Sequence, residues 1–424
     1  MSYGARDSGD YTLLPAPGET DGESSVDTAG GLMSATSAIL SPHGAGAPAF
    51  TQVKANFELV AKYGDNVPLY LFSDMFLRVP ALRELFPVHM SRQRERLMAA
   101  LSFAVEHAHN LPEITPYLHQ LARSHRKFGT EGEHYEQWSA SVVNTMQRFS
   151  GNMWDEGLEE EWRDFLSLLT RTLSEGARQD ASLRPAYWTA EVISHERRSV
   201  DVAVLRLLVD RPFKYVPGQS APVEVRQWPN MWRYYSMANV PRRDNTVELH
   251  VKAAGAVSRT LVCDVREGEV VKLGAPVGTL TLNPNTGRNI LLIAGGTGFA
   301  PIKAVLEHVT KLPVPPWVSV FTGARERGGL YDLDVLRDWE QKYPWLTVRA
   351  ALSELEDQSV ATTGTVGEAV SRYGRWEGYD AYVCGPPAMV DGTVAMLHAN
   401  GFTDNRIRLE RFAGAATPSR RFAI

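Results

Sequence analysis

Arg233-Tyr234-Tyr235-Ser236 sits between segments of alternating hydrophobicity in the C-terminal half of the chain. An arginine can bracket a pyrophosphate, an aromatic two residues on can lie flat against a tricyclic ring, and a following hydroxyl can reach a ring nitrogen that exchanges hydride. The same four residues also suit a half-buried edge strand, so the elements around them decide the reading.

Those elements alternate first. Val200, Val202 and Val204, then Val223 and Val225, then Val247, Leu249 and Val251 predict strands of an antiparallel sheet or barrel over residues 183–286. Pro217-Gly218-Gln219 makes a turn, and His250-Val251-Lys252 ends a strand. Gly255 and Ser258 open a short helix whose N–H groups suit an anion, or simply cap it. From Asn289 the style changes to a buried run, Ile290-Leu291-Leu292-Ile293-Ala294, followed at once by Gly295-Gly296-Thr297-Gly298 and a helix from Ala300. Strand, glycine turn and helix let backbone amides approach a pyrophosphate closely. Further strands at Val318 to Phe321, Thr347 to Ala351 and Ala381-Tyr382-Val383, the last leading into Cys384-Gly385-Pro386, predict a doubly wound α/β domain over 287–424.

Upstream, helical periodicity runs from Phe50 to about Arg178. Phe50, Val53, Phe57 and Val60 recur at three- and four-residue steps, as do Tyr135, Trp138, Val142 and Met146, and Trp162, Phe165, Leu169 and Leu173. An all-α domain is expected over 51–180. Leu118, Leu121, His125 and Phe128 share a helical face, so His125 is either a hydrogen-bonded core residue or a ligand. Residues 1–50, rich in Gly, Ser, Ala, Thr and Pro, have the composition of a disordered tail.

The chain has 424 residues, 44% hydrophobic and 22% charged, enough for two or three domains with proper cores. A net charge of -5 gives no reason to expect nucleic acid or a membrane surface. Cys263 and Cys384 are the only cysteines, too few for a disulfide framework, a four-thiolate zinc site or an iron–sulfur cluster. Without an apolar run of membrane-spanning length or a leader-like N-terminus, a cytoplasmic monomer or weak dimer is expected.

In order and spacing, the ordered set Pro217-Gly218-Gln219, Arg233 to Ser236, Gly255 with Ser258, Gly295 to Gly298, Cys384-Gly385-Pro386 and Glu410-Arg411-Phe412 resembles the ferredoxin-NADP reductase superfamily over roughly 185–414. That resemblance implies FAD and NADH or NADPH. Arg233 and Ser258 would hold the FAD pyrophosphate, Tyr235, beside Tyr234, would stack on the isoalloxazine, and Ser236 would approach its hydride-accepting nitrogen. His250, Val251, Lys252 and Gly255 belong to the same FAD site by this resemblance. Gly295, Gly296, Thr297, Gly298, Ala300 and Pro301 would cradle the nicotinamide dinucleotide, with Cys384, Gly385 and Pro386 at the nicotinamide. Phe412 would pack near the flavin, and Glu410 joins it as a catalytic candidate. Ser220 departs from the family, which usually places an aromatic there. Arg325 and Arg327 lie where an adenine ribose is expected and would favour a 2'-phosphate, whereas Glu326 between them opposes it; the balance leans slightly to NADH.

Residues 55–175 resemble the globin domain of flavohemoglobins. The match runs through Asp74-Met75-Phe76, Phe86, Gln93-Arg94-Glu95 with Leu97, Leu121 to His125 and Tyr135. It implies haem b bound through its iron by His125, with Phe86 on the macrocycle, Tyr135 on the proximal side and Gln93 and Leu97 facing a bound gas. Three positions depart. Phe72 stands where the family has a distal tyrosine, and Tyr70, two residues away, lies about 200° round the helix. Ser124 replaces the lysine before the histidine, and Ala177, with Glu175 two residues off register, falls where an acidic partner is usual. A globin followed by this reductase is the flavohemoglobin architecture. It implies hydride from NAD(P)H to FAD, single electrons from FAD to haem, and oxidation of nitric oxide by O2 to nitrate. The departures also allow a haem electron transferase or oxidase with another acceptor, or a reductase carrying a non-catalytic sensing or docking globin.

Overall fold

A computed structural model of the chain describes residues 50–87, 90–354 and 361–412. The tail expected before Phe50 lies outside the described residues. Those described form two compact units that meet in sequence between Ala186 and Tyr187.

The first unit is all helix: α1 (Thr51–Ala61), α2 (Asn66–Arg78), α3 (Ser91–Glu106), α4 (Leu111–Arg126), α5 (Gly132–Ser150) and α6 (Glu156–Leu183). Asp155 starts α6 by accepting a hydrogen bond from Leu158 N at 2.8 Å, which satisfies one of the orphan amides of a helix N-terminus. The three- and four-residue stripe on α6 then buries Trp162, Phe165, Leu166 and Leu169 completely or nearly so. Trp162 Nε1 donates to Asn56 Oδ1 at 3.0 Å, and Asn56 Nδ2 donates to Ser150 Oγ at 2.7 Å, so the polar atoms in this core are paired. Glu161 reaches the amides of Gln52 and Val53, which caps α1 from another helix. Pro68 follows the break between α1 and α2 rather than interrupting a helix. It falls in the first turn of α2, where its missing N–H has no helical partner to lose.

The second unit opens with an antiparallel sheet: β1 (Trp188–Arg197), β2 (Val202–Val209), β3 (Ser220–Glu224), β4 (Arg233–Ser236) and β5 (Thr246–Lys252), then helix α7 (Ala256–Cys263) and strand β6 (Val270–Leu273). Its order is β4-β3-β6-β1-β2-β5, and a bridge between Met237 and Leu249 draws the two edges together. Val200, read as strand from its alternation, is 87% exposed in the turn before β2, where Arg198 N and Ser199 N both bond Val202 O. The turn accounts for this: the Ser199 hydroxyl donates to Asp201 and holds the reversal.

The chain continues β7 (Asn289–Gly295), α8 (Phe299–Val309), β8 (Val318–Ala324), α9 (Leu333–Lys342), β9 (Leu346–Leu352), β10 (Thr362–Thr363), α10 (Val366–Arg372), β11 (Tyr379–Gly385), α11 (Pro387–Ala399) and β12 (Ile407–Arg411). These strands form a parallel sheet in the order β10-β9-β8-β7-β11-β12. After β7 the order runs outward through β8 and β9 on one side, then returns through β11 and β12 on the other. The reversal opens a crevice beyond the C-terminal ends of β7 and β11, where such sheets bind ligands.

A buried polar cluster ties sheet to sheet. Lys303 on α8 donates to Glu248 on β5 at 2.5 Å, His250 Nε2 donates to the same carboxylate at 3.0 Å, and the Tyr331 hydroxyl bonds His250 Nδ1 at 2.9 Å. Burial alone would raise the Glu248 carboxyl, but the His250 hydrogen bond and the Lys303 charge outweigh it and hold it at about 2. The folded value lies below the unfolded one of about 4.3, so this stabilisation is present above that pH and is lost as pH falls toward 2. Removing one partner of a buried pair strands the other's charge. Lys303→Met is expected to lower stability by about 3 kcal/mol, read from the urea midpoint of the reductase transition, while Lys303→Met with Glu248→Leu recovers most of the loss.

Candidate functional site

The crevice at the strand-order reversal is lined by glycine. Gly296 has φ 54°, which favours glycine, and a Cβ there would meet nothing within 4 Å, so the side facing the crevice is open. Gly298 is required for the opposite reason: a Cβ would lie 2.2 Å from the Cys384 carbonyl oxygen. The turn is thereby pressed onto the end of β11. Gly295 and Gly298 are buried, Thr297 is half-buried, and Ala300 and Pro301 are buried in the first turn of α8. This cradle fits the pyrophosphate of a dinucleotide at a helix N-terminus. Arg325 and Arg327 are exposed beyond β8.

Across the sheet edge, Cys384 on β11 is the register partner of Glu410 on β12, and Phe412 N donates to Gly385 O at 2.9 Å. Cys384 is fully buried, and burial followed by the nearby Glu410 charge pushes its thiol well up. Gly385, with φ 157°, lets the chain turn to the exposed Pro386. Burial raises the Glu410 carboxyl to about 7, partly offset by a hydrogen bond from Ser220. Ser220 in turn is the register partner of Ser236 on the neighbouring strand, and Tyr235 sits opposite Ala221. Ser236 Oγ and Glu410 Oε2 are both shut off from solvent without a hydrogen-bond partner. Enclosed polar atoms of this kind fit a ligand with complementary ring nitrogens and oxygens, as an isoalloxazine has.

Tyr235 is half-buried, and burial raises its hydroxyl, with Arg233 and a hydrogen bond to Ser258 acting the other way. Arg233 and Tyr234 are half-buried beside it. The Ser258 hydroxyl accepts from Ala254 N and Gly255 N at 2.9 Å each, which fixes the start of α7. The side chains of the expected triplet are engaged elsewhere. His250 is inside the buried cluster, Val251 is in the core, and Lys252 pairs with Asp201 at 3.2 Å. Only the backbone of this triplet is left to face a cofactor. Ser220, conspicuous in the sequence only as a departure, thus belongs to the site through Glu410.

In the helical unit, His125 Nδ1 and the Tyr135 hydroxyl share a hydrogen bond at 3.3 Å. Burial, then the Lys127 charge, lower His125 to about 4, which keeps the imidazole neutral and its Nε2 lone pair available near neutral pH. No group of three His, Cys, Asp or Glu side chains converges on a metal position among the described residues. A neutral histidine of this kind can ligate a metal whose remaining ligands come from a macrocycle. Phe72, Phe76 and Phe86 form a triangle with centroids 5.4–5.8 Å apart, and Phe72 packs in one apolar cluster with Leu97 and Trp138. Gln93 is half-buried on α3, one turn before Leu97. Asp180, three residues beyond Ala177, is taken up by Arg123, Arg126 and Arg184, so it gives His125 no carboxylate. These apolar side chains and the neutral His125 imidazole are the kinds of group that hold a haem.

Family profiles match residues 70–173 as globin, 189–282 as an oxidoreductase FAD-binding domain and 292–395 as an oxidoreductase NAD-binding domain. Reductase component 2 of a terephthalate 1,2-dioxygenase from Comamonas is 31% identical over 235 residues, 54% of this chain and 69% of the relative. A flavohemoprotein of Bordetella parapertussis is 25% identical over 298 residues, 65% of this chain and 74% of its own. The chain belongs to the FAD- and NAD-binding reductase family and carries a globin ahead of it, the flavohemoglobin architecture. The crystal structure of a flavohemoglobin from Malassezia yamatoensis with bound FAD and haem has the same fold, with a TM-score of 0.68 at 15% identity, covering 87% of this chain and 100% of that one. This flavohemoglobin-type chain is an NAD(P)H-dependent FAD oxidoreductase whose cofactors are haem, FAD and a nicotinamide dinucleotide.

Glu410 gives the reductase a titration to read. Burial raises its carboxyl to about 7, and were a flavin seated beside it, ionisation of Glu410 would oppose the charge that hydride brings to the ring. The rate of flavin reduction by NADH in the loaded protein is expected to fall roughly tenfold from pH 6 to pH 8, and Glu410→Gln to flatten that profile.

Proposed function

We propose that the chain oxidises nitric oxide with O2 to nitrate, drawing electrons from NAD(P)H through FAD to haem. The observation that carries this reading is the His125–Tyr135 pair, in the same chain as the reductase edge of Ser236, Cys384 and Glu410. When bound, FAD accepts hydride from the nicotinamide and haem binds a diatomic gas.

The residues then divide the work of placement. Gly295 to Gly298 and the first turn of α8 hold the dinucleotide, with Cys384, Gly385 and Pro386 at its nicotinamide end. Arg233 and Ser258 take the FAD pyrophosphate, Tyr235 takes the ring face, and Ser236 and Glu410 supply the enclosed polar contacts at its reactive edge. Phe412, anchored to Gly385 by its amide, packs from β12. Arg325 and Arg327, exposed with Glu326 between them, form no closed 2'-phosphate pocket, which favours NADH. In the globin, His125 would ligate the haem, Phe86 would pack on the macrocycle, and Gln93 and Leu97 would face the gas. The proximal histidine is supported by a phenol rather than a carboxylate, which makes it a weaker electron donor than a carboxylate-backed imidazole.

A second reading has one observation in its favour. The reductase half is 31% identical to a component of a dioxygenase system, above the 25% identity to the flavohemoprotein, and Phe72 offers no hydroxyl to a bound gas. In that reading the electrons leave for a different acceptor. Aerobic nitric oxide consumption separates the two. The loaded protein with NADH is expected to remove nitric oxide and form nitrate stoichiometrically, and His125→Ala to abolish this while NADH–ferricyanide activity stays within about twofold. Consumption no faster than that of the His125→Ala protein sinks the dioxygenase reading and favours the other acceptor.

A further inference from the structure

The helical unit contains a hydrogen-bond donor that nothing in the described protein uses. Trp138 Nε1 is shut off from water and has no hydrogen-bond partner. An indole N–H has only one polar function, to donate, and burying it unpaired opposes folding. Elsewhere in this unit the equivalent atom is satisfied: Trp162 Nε1 donates to Asn56, and Trp154 Nε1 donates to Glu159.

Its position explains what it faces. Trp138 lies one turn after Tyr135 on α5, so the two side chains share a helix face. Tyr135 reaches His125, the proximal side of the pocket. Trp138 packs both with the Phe72, Met75 and Leu82 cluster, where Phe86 and Leu97 also pack, and with the core that holds Tyr135. The surrounding side chains are apolar, and Phe72 brings no hydroxyl where one would otherwise meet a ligand.

We propose that Trp138, through Nε1, donates the hydrogen bond that holds a diatomic ligand in the haem pocket, in place of a hydroxyl at position 72. The inference rests on the gas-binding part of the proposed function. O2 is a suitable acceptor because it gains negative charge on its outer atom when a reduced metal binds it. Carbon monoxide, which polarises less, reports the same donor through its stretching frequency. A rigid ring donor on a helix core differs from a hydroxyl on α2 in one respect: it has no rotor to turn away, so ligand release requires breaking the bond rather than swinging it aside.

The test uses full-length protein loaded with haem and FAD. Trp138→Phe keeps the ring stack and removes the N–H. It is expected to raise the O2 dissociation rate about tenfold and to move the C–O stretch of the carbon monoxide adduct to higher frequency. Trp138→His, which retains a ring N–H, is expected to recover part of both shifts. A Trp138→Phe protein that holds one haem per chain and leaves both readouts unchanged overturns the proposal. Should Trp138→Phe fail to hold haem, Gln93→Leu supplies the independent measurement, because Trp138 is then the remaining N–H donor of the pair. Its C–O stretch is expected to shift on transfer from H2O to D2O, and an unshifted band overturns the proposal. If the native protein binds neither O2 nor carbon monoxide, the gas-binding reading falls and the role of Trp138 with it. If it binds both and Trp138→Phe changes nothing, the tryptophan alone is wrong.

Discussion

A polar atom taken out of water must find a partner, and the reductase unit is built around one place where this is met in full. Lys303, Glu248, His250 and Tyr331 meet at the junction of the antiparallel and parallel sheets, each satisfying another. Asp332, at 2.9 Å from Arg198, closes the same junction from its other side. None of these groups would be tolerated there alone, since an uncompensated charge in such a place costs several kcal/mol, on the order of 3–5. Together they fix how α8 sits against β5. Leu280 and Leu282, at the end of the antiparallel domain, pack into the core of the parallel sheet, so apolar contact and the polar cluster both hold the two sheets together.

The atoms that fail the same rule are informative in the opposite sense. Ser236 Oγ, Glu410 Oε2 and Trp138 Nε1 are enclosed and unpaired. Not every such atom points to a ligand. Arg123 Nε and Asp180 Oδ1 also lack an aligned hydrogen bond, yet they face each other at 3.1 Å as an ion pair, which needs proximity rather than direction. Ser236 Oγ and Glu410 Oε2 have no such ion pair, although Ser220 reaches the Glu410 carboxyl, and they lie on the two sheet edges that approach one another at Ser220. The absent aromatic at position 220 acquires a physical meaning here. A hydroxyl on β3 can reach the Glu410 carboxyl, whereas a ring would fill that space.

Much of this was legible in the sequence because the relevant chemistry is local. Gly295 to Gly298 announces its turn, since only glycine tolerates the φ of Gly296 and the approach of Gly298 to Cys384. The α6 stripe and the β7 run declare helix and buried strand by period alone. His125 and Tyr135 could be paired because ten residues separate them within one helix–turn–helix. What was not legible depends on strands and helices far apart in the chain. His250 reads as part of a cofactor triplet, but its ring is drawn into the cluster by Tyr331 and Glu248, and no local pattern encodes that. Val200 keeps the alternation of its neighbours and still falls in a turn, because hydrogen bonds from Ser199 and Arg198 end the strand before it. Trp138 reads as one more core residue on a periodic helix. Its distinction is the absence of a partner for one atom, which only the packed structure reveals.

The polar cluster also constrains how the two halves of the reductase can share a reaction. Ala238 N donates to Glu248 O at 2.8 Å, two residues beyond Ser236, and Lys303 Nζ reaches Ala238 O at 3.4 Å. On the other side, Phe299 at the start of α8 packs against the His250 ring with centroids 6.0 Å apart. A short, bonded path therefore runs from the strand that carries Tyr235 and Ser236, through Glu248 and His250, to the helix that begins at the glycine turn. A ring placed on Tyr235 and a dinucleotide placed on Gly296, as proposed, would be seated on one bonded frame. Hydride transfer needs reacting atoms within about 3–3.5 Å and aligned, a tolerance that a hinged junction would lose. The charged cluster is buried at this junction, where such a tolerance would have to be held.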